Sequence, residues 1–192
     1  DNIADLSPIS SLHQLVTLDL SKRDLYDLSL LKDLDGIKEL HLHGNRIHDL
    51  SGLEDVKALE ILNLGTNRLT DISPLADHKT LRELHLDGNF ISDPSPLSNL
   101  LNLETLYLDG NRIGNITSLS SLTQLRALSL RSNELEDISP ITSMTKLTSL
   151  FLSWMPISNL EPLSDLIFLK NLSISRAGIS DLSALAKLTN LE

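Results

Sequence analysis

The sequence predicts a curved α/β solenoid, a stack of short repeats with a parallel β-sheet on the concave side and short helical (3-10 or α) turns on the convex side. Three observations predict it. A 22-residue period runs without insertion through units that begin at Leu15, Ile37, Leu59, Leu81, Leu103, Leu125, Leu147 and Leu169. Apolar residues occupy positions 1, 4, 6, 11, 14, 17 and 20 of each unit, and among these 56 slots only His78 and Pro94 depart from the rule. Asparagine holds position 9 in five successive units, as Asn45, Asn67, Asn89, Asn111 and Asn133. A fixed period of this length is the mark of a repeat architecture.

Each element of a unit follows from its local pattern. The apolar/polar alternation at positions 4 to 7, as in Leu106-Tyr107-Leu108-Asp109, reads as a short half-buried strand. The chain then turns, and an asparagine amide can donate and accept to satisfy the backbone groups a turn leaves open. Stacked units should build a buried asparagine ladder. It is interrupted at Arg23, Met155 and Ala177, so units one, seven and eight are expected to turn differently. The second half often reads Asp-Ile-Ser-Pro-Leu, as at Asp71 to Leu75, with related Ser-Pro pairs at Ser7-Pro8, Ser95-Pro96 and Ser139-Pro140. Serine as N-cap and proline at the first helical position announce a helical turn. The Asp/Asn column at position 13 (Asp5, Asp27, Asp49, Asp71, Asp93, Asn115, Asp137, Asn159, Asp181) fits capping and turn formation better than cation binding. His78, in an apolar slot of the return loop, is expected to be a partly exposed, hydrogen-bonded stand-in for a core residue.

One unit cannot bury its leucines alone, so stability comes from stacking neighbours. Eight strands about 4.8 Å apart give an inner arc of roughly 38 Å, enough to cradle a folded domain. A single array spans residues 1–192: a partial unit in 1–14, eight full units in 15–190 and the start of another in 191–192. Terminal units normally carry polar caps. The expectation is a segment of a larger array, or one whose caps lie beyond it.

Composition removes several classes of function. The net charge of -10 argues against a nucleic-acid binder, which needs a basic footprint, and against a polybasic membrane anchor. No apolar run approaches the ~20 residues of a membrane span. Cysteine is absent, which excludes disulfides, thiolate nucleophiles and Cys-bound metals. No nucleophile elbow, phosphate-binding glycine loop or His-Glu-x-x-His element is present, and an open curved sheet has no dry pocket in which to tune a catalytic group. The expectation is a binding protein, neither enzyme nor cofactor carrier. Asn115-Ile-Thr117 and Asn171-Leu-Ser173 match the glycosylation sequon, a short and weak pattern.

Segments such as Leu59-Glu-Ile-Leu-Asn-Leu-Gly-Thr-Asn-Arg-Leu-Thr-Asp-Ile-Ser-Pro-Leu75 closely resemble the 22-residue leucine-rich repeats of bacterial internalin-like proteins. The Asp-Ile-Ser-Pro-Leu element is the most specific part. The resemblance covers nearly the whole chain and implies a secreted or surface-attached bacterial protein that grips a host or cell-surface protein with its concave face. An intracellular scaffold that binds a partner enzyme, as eukaryotic relatives do, is the alternative.

Positions 3, 5 and 7 face inward, with 2 and 8 at the rim. Aromatic residues make up 3% of the chain, so their placement is informative. Tyr107 and Phe151 fall on the concave face and Trp154 at its rim. With Arg131 they are the residue types that dominate interfaces, each able to cost ~2 kcal/mol or more on truncation. The competing reading is lateral packing against neighbouring strands. Met155 occupies a ladder slot and reads as core. Asp87, Asp109, His85, His41 and His43 supply polar contacts around the aromatics. Glu39, His41 and His43 share one side of a strand, and Glu83, His85 and Asp87 repeat the arrangement. A His-x-His pair with a carboxylate can chelate zinc. The two clusters lie about 9.6 Å apart, wide for one ion. A pH-sensitive contact is the stronger reading of these histidines. Lys38, Glu60, Arg82, Glu104 and Arg126 alternate in sign at position 2, a lateral salt ladder in preference to a docking strip.

Overall fold

The computed structural model describes residues 9, 12 and 14–192. Asp5 and the Ser7-Pro8 pair therefore lie outside the described residues. Eight three-residue strands follow one another: β1 (Thr17–Asp19), β2 (Glu39–His41), β3 (Ile61–Asn63), β4 (Glu83–His85), β5 (Thr105–Tyr107), β6 (Ala127–Ser129), β7 (Ser149–Phe151) and β8 (Asn171–Ser173). They form one open parallel sheet in sequence order. The register advances by one unit per strand, with Leu18 opposite Leu40, Leu40 opposite Leu62 and so on to Leu150 opposite Leu172. Every side chain therefore stands beside its own counterpart in the next unit. The central leucine of each strand from β2 to β7 is buried, and its two neighbours face the open side.

The return half is built from the three-residue spacing of its apolar slots. In unit three Leu75 N–H donates to Ile72 O, His78 N–H to Leu75 O, and Leu81 N–H to His78 O, at 3.0 to 3.1 Å. The same chain of i→i+3 bonds recurs in the other units, short of its last bond in unit two. Positions 14, 17, 20 and the next position 1 are thus successive corners of 3-10 turns, each turning one side chain inward. Stacking them makes a continuous apolar core from Leu20 to Leu188. Each fully buried leucine contributes roughly 1.5–3 kcal/mol relative to exposure.

Serine does not cap these turns. Ser73 is the first turn residue, and the cap is Asp71: its Oδ1 accepts the Ser73 N–H at 2.8 Å and its Oδ2 the Ser73 hydroxyl at 3.0 Å. Asp49, Asp93 and Asp137 hold their serines likewise. The serine N–H, followed by the serine hydroxyl, holds these carboxyls below the usual value of 3.8, so the column is a turn device.

 

Asp49 owes its lowered value first to the Ser51 N–H and then to the Ser51 hydroxyl. The asparagine ladder is present and buried. Asn67 Oδ1 accepts the Ile47 N–H at 3.0 Å, while its Nδ2 donates to Leu42 O at 3.0 Å and Leu64 O at 2.9 Å. Each amide thus ties its own unit to the one before. The expectation that units one, seven and eight turn differently holds for the backbone of unit one, at Asp24, and not for that of units seven and eight. Position 8 is left-handed in all eight units, as Lys22, Gly44, Thr66, Gly88, Gly110, Ser132, Trp154 and Arg176, with φ between +54° and +69°. Lost amides change the hydrogen bonds and leave the turn intact, because the turn is also held by bonds to the next unit such as Trp154 N–H to Ser175 O at 3.0 Å. Unit one alone adds a second left-handed residue, Asp24. Met155 is buried in its ladder slot, as expected of a core residue.

His78 departs from expectation. It is fully buried and only half satisfied: Nε2 lies 3.0 Å from Leu53 O, and Nδ1 has no partner among the described residues. Stacking puts position 20 inside the core whatever the residue there.

The position 2 ladder forms along the strand-entry edge. Lys38 pairs with Glu60 at 2.7 Å, and Glu104 takes Arg82 at 2.7 Å and Arg126 at 3.7 Å. These groups are solvent-exposed, and exposed pairs contribute little. Glu104→Gln is expected to leave the urea denaturation midpoint unchanged within error; a clear drop would show that the ladder matters to stability.

Candidate functional site

The sheet register gathers the inward positions into columns. Position 5 runs Asp19, His41, Asn63, His85, Tyr107, Ser129, Phe151 and Ser173 along neighbouring strands. The candidate residues fall into three neighbourhoods on this face. At the N-terminal end, His41 Nε2 lies 2.9 Å from Glu39 Oε1, with His43 further along the same chain segment. Centrally, His85 Nε2 lies 2.7 Å from Glu83 Oε1, and the His85 ring meets Tyr107 edge-on with centroids 4.7 Å apart. Towards the C-terminal end stand Arg131, Phe151 and Trp154.

The two central carboxylates are shaped by their neighbours. Asp87 leans over buried Gly65, where a Cβ would come within 2.8 Å of its Oδ1, so glycine makes room for it. Asp109 Oδ1 accepts the Ser129 hydroxyl and the Arg131 N–H. Burial pushes the Asp109 carboxyl above its usual value, against the pull of those two hydrogen bonds. Asp109 is thereby a braced group, with one oxygen already engaged by its own sheet.

Trp154 is exposed and Phe151 half-buried, and both are laterally partnered. The Arg131 guanidinium lies over Phe151, 4.3 Å from the ring centroid, and Arg176 lies over Trp154 at 3.9 Å. Trp154 remains 54% exposed. It occupies the left-handed position 8 with φ +64°, a conformation that a bulky side chain adopts at a cost. Lateral packing and availability to a partner therefore coexist here. Sequence reasoning passed over Arg176, and also Phe90 with Arg112, whose guanidinium lies 5.1 Å from the ring centroid. The signal was available in the period. Phe90 and Arg112, like Trp154 and Arg176, are 22 residues apart, which places them side by side in adjacent units.

The histidines do not converge on a metal-like site. Among the described residues no three His, Asp or Glu side chains come together as an ion would require. His41 and His85 are separated by β3, and each is engaged by the glutamate two residues before it. A groove of about 410 Å³ lies on the other edge, lined by Glu60, Thr80, Arg82, Asn102, Glu104, Gln124 and Arg126. Its charged walls are tied up in the position 2 ladder, and it is remote from the aromatics. No helix among the described residues is long and apolar enough to cross a membrane.

Comparison with known proteins agrees with this architecture. Residues 35–77 and 79–121 match the family described as leucine-rich repeats (2 copies). No curated protein sequence matches the chain. Internalin C2 from Listeria monocytogenes shares 34% identity at a TM-score of 0.92, covering 94% of this chain and 80% of that one. An internalin (inlF) from the same organism shares 30% identity at a TM-score of 0.80; all of this chain is covered, and it spans 64% of that protein. The ectodomain of the plant receptor kinase GASSHO1/SCHENGEN3 from Arabidopsis thaliana, solved in complex with Casparian strip integrity factor 2, has a TM-score of 0.84 at 24% identity, covering 95% of this chain and 24% of that one. At that identity it shows a shared fold alone. The period, the asparagine ladder, the open parallel sheet and the match to internalin C2 make one case: this chain belongs to the leucine-rich repeat proteins of the bacterial internalin-like class.

Proposed function

We propose that this chain is a protein-recognition module that binds a partner protein on its concave face, centred on Tyr107, Phe151 and Trp154. Arg131, Asp87, Asp109, His85, His41 and His43 form the polar surround. The observation that carries the reading is Trp154, the sole tryptophan, held 54% exposed in a left-handed backbone position beside the concave aromatics. Large aromatics next to arginine are the groups that concentrate binding energy in interfaces. Binding without catalysis fits a face whose histidines are spread over separate strands and whose Asp109 is braced by its own sheet. Likeness to Listeria internalins supports a secreted or cell-surface location and a host or surface protein as partner. The GASSHO1/SCHENGEN3 complex supports a protein ligand for this fold.

The test is affinity capture from host-cell and bacterial lysates with wild type and with Tyr107→Ala/Phe151→Ala/Trp154→Ala. A partner retained by wild type should fall to background with the triple variant, since each truncation is expected to cost ~2 kcal/mol or more. Equal capture by both proteins would move the site off the aromatics, towards the acidic, histidine-bearing half.

A further inference from the structure

We infer that the strand-exit rim of the C-terminal half docks an acidic segment of the partner polypeptide through three arginine–aromatic stacks. The inference rests on the reading that a protein docks on this side of the solenoid, and it names the chemistry of that protein. The stacks are Arg112 over Phe90, Arg131 over Phe151 and Arg176 over Trp154, at 5.1, 4.3 and 3.9 Å from the ring centroids. They occupy positions 5 to 10 of their units, where the chain leaves the strand, and run from unit four to unit eight. Phe90 and Trp154 are both exposed.

Charge pairing separates these arginines from Arg46, Arg82 and Arg126, while Arg23 and Arg68 also form no ion pair among the described residues. Arg82 and Arg126 share Glu104 on the opposite edge, and Arg46 holds Asp24. Among the described residues no carboxylate forms an ion pair with Arg112, Arg131 or Arg176. Acids are not scarce, since the chain has 26 acidic and 16 basic residues. Glu134 follows Arg112 in the same column and leaves it unpaired. Asp109 feels the charge of Arg131 but gives its oxygen to the Ser129 hydroxyl and the Arg131 backbone N–H.

A guanidinium over a ring has one face covered and its planar edge of donors still available. That edge matches a carboxylate in a two-pronged hydrogen bond, which an ammonium cannot reproduce. The overall charge of -10 disfavours a long polyanion such as nucleic acid, and Asp87, Asp109 and Glu134 balance the three arginines over positions 5 to 10 of these units, so the attraction is a short-range one between a guanidinium edge and a carboxylate within a Debye length of about 8 Å. Four unit spacings of about 4.8 Å give a rim of roughly 19 Å, the reach of about six extended residues.

Trp154, as the sole tryptophan, reports on this rim by its fluorescence. The probes are two degenerate peptide pools, one with glutamate fixed at alternate positions and one with glutamine there, titrated into the full chain. The glutamate pool should saturate the fluorescence change at a concentration about tenfold or more below the glutamine pool, the worth of one charge-assisted hydrogen bond. Arg112→Gln, Arg131→Gln and Arg176→Gln should each erase that preference. Arg112→Gln is the sharpest arm, because it lies far from the reporter. Equal binding of the two pools, no response to either, or an undiminished preference in all three variants would overturn the inference. Tyr107→Ala separates the two readings, because Tyr107 belongs to no arginine stack. If it abolishes binding of both pools alike, with no preference for glutamate, the concave face stands and the acidic rim falls. If the glutamate preference survives Tyr107→Ala, the rim stands without Tyr107 as its centre.

Discussion

Asn89→Ala is expected to destabilise the chain by about 3 kcal/mol, measured by urea denaturation followed by circular dichroism. Asn89 is buried in the middle of the ladder. Its Oδ1 accepts the Leu69 N–H at 3.0 Å, and its Nδ2 donates to Leu64 O at 3.1 Å and Leu86 O at 3.0 Å. The two carbonyls keep other donors, since Leu64 O also receives Asn67 Nδ2 and Leu86 O also receives Asn111 Nδ2. Leu69 N–H loses its acceptor, and alanine leaves a void beside it. An orphaned buried donor costs ~1–3 kcal/mol, and the void adds to that.

Two further substitutions separate volume from hydrogen bonding. Asn89→Met copies the solution found at Met155, which is buried in the same slot of unit seven, and should cost less than alanine. Asn89→Asp keeps the shape but places a carboxylate oxygen against the carbonyls of Leu64 and Leu86. At neutral pH it should cost at least as much as alanine, because the buried charge keeps one donor, the Leu69 N–H, and its other oxygen faces only carbonyls. If Asn89→Ala lies within ~1 kcal/mol of wild type, the ladder is not what holds these units together.

How far the molecule could be read from its sequence depends on whether a residue's role follows from its column or from its neighbours. Columns were legible. The 22-residue period implies the register, so Leu40 beside Leu62 and Leu106 beside Leu128 follow from counting. The placing of Tyr107 and Phe151 on the open face, and of Trp154 at its rim, follows in the same way. Position 8 was not legible, because Lys22, Thr66 and Trp154 share no preference for positive φ. That conformation is imposed by bonds to the next unit and shared with the glycines at Gly44, Gly88 and Gly110. The serine caps were misread because the carboxylate two residues earlier competes for the same N–H and wins at 2.8 Å in Asp71–Ser73. The stacks of Arg112 and Arg176 were legible by adding one period to Phe90 and Trp154. Arg131 over Phe151 joins two different columns, and counting alone does not reveal it.

Lowering the pH from about 7.5 to about 5 is expected to destabilise wild type by up to about 2 kcal/mol, and His78→Leu should remove most of that loss. Burial holds the His78 imidazole below its usual value of 6.5, reinforced by the charge of Lys57 and opposed by the Leu53 and Leu75 carbonyls and by Asp77. Above 6.5 both folded and unfolded chains carry a neutral ring, and stability is complete. As the pH falls below 6.5 the unfolded chain takes up a proton that the folded chain resists, so stability drops by about 1.4 kcal/mol per unit until the folded value is reached. The structure shows why the proton is resisted: Nε2 faces Leu53 O, and Nδ1 has no acceptor among the described residues. Leucine fills this slot in neighbouring units, as Leu100 and Leu122 do. The carbonyl of Leu53 would keep the Val56 N–H at 3.0 Å, so the substitution leaves it partnered. Asp49, Asp93, Asp137 and Asp181 are held below 3.8 and stay ionised throughout this window, so they add no slope. Urea midpoints measured across the window for both proteins decide the matter. Parallel profiles would mean that His78 is protonated in the folded chain as readily as in the unfolded one, which requires a partner for Nδ1 supplied by a shift of the return loop.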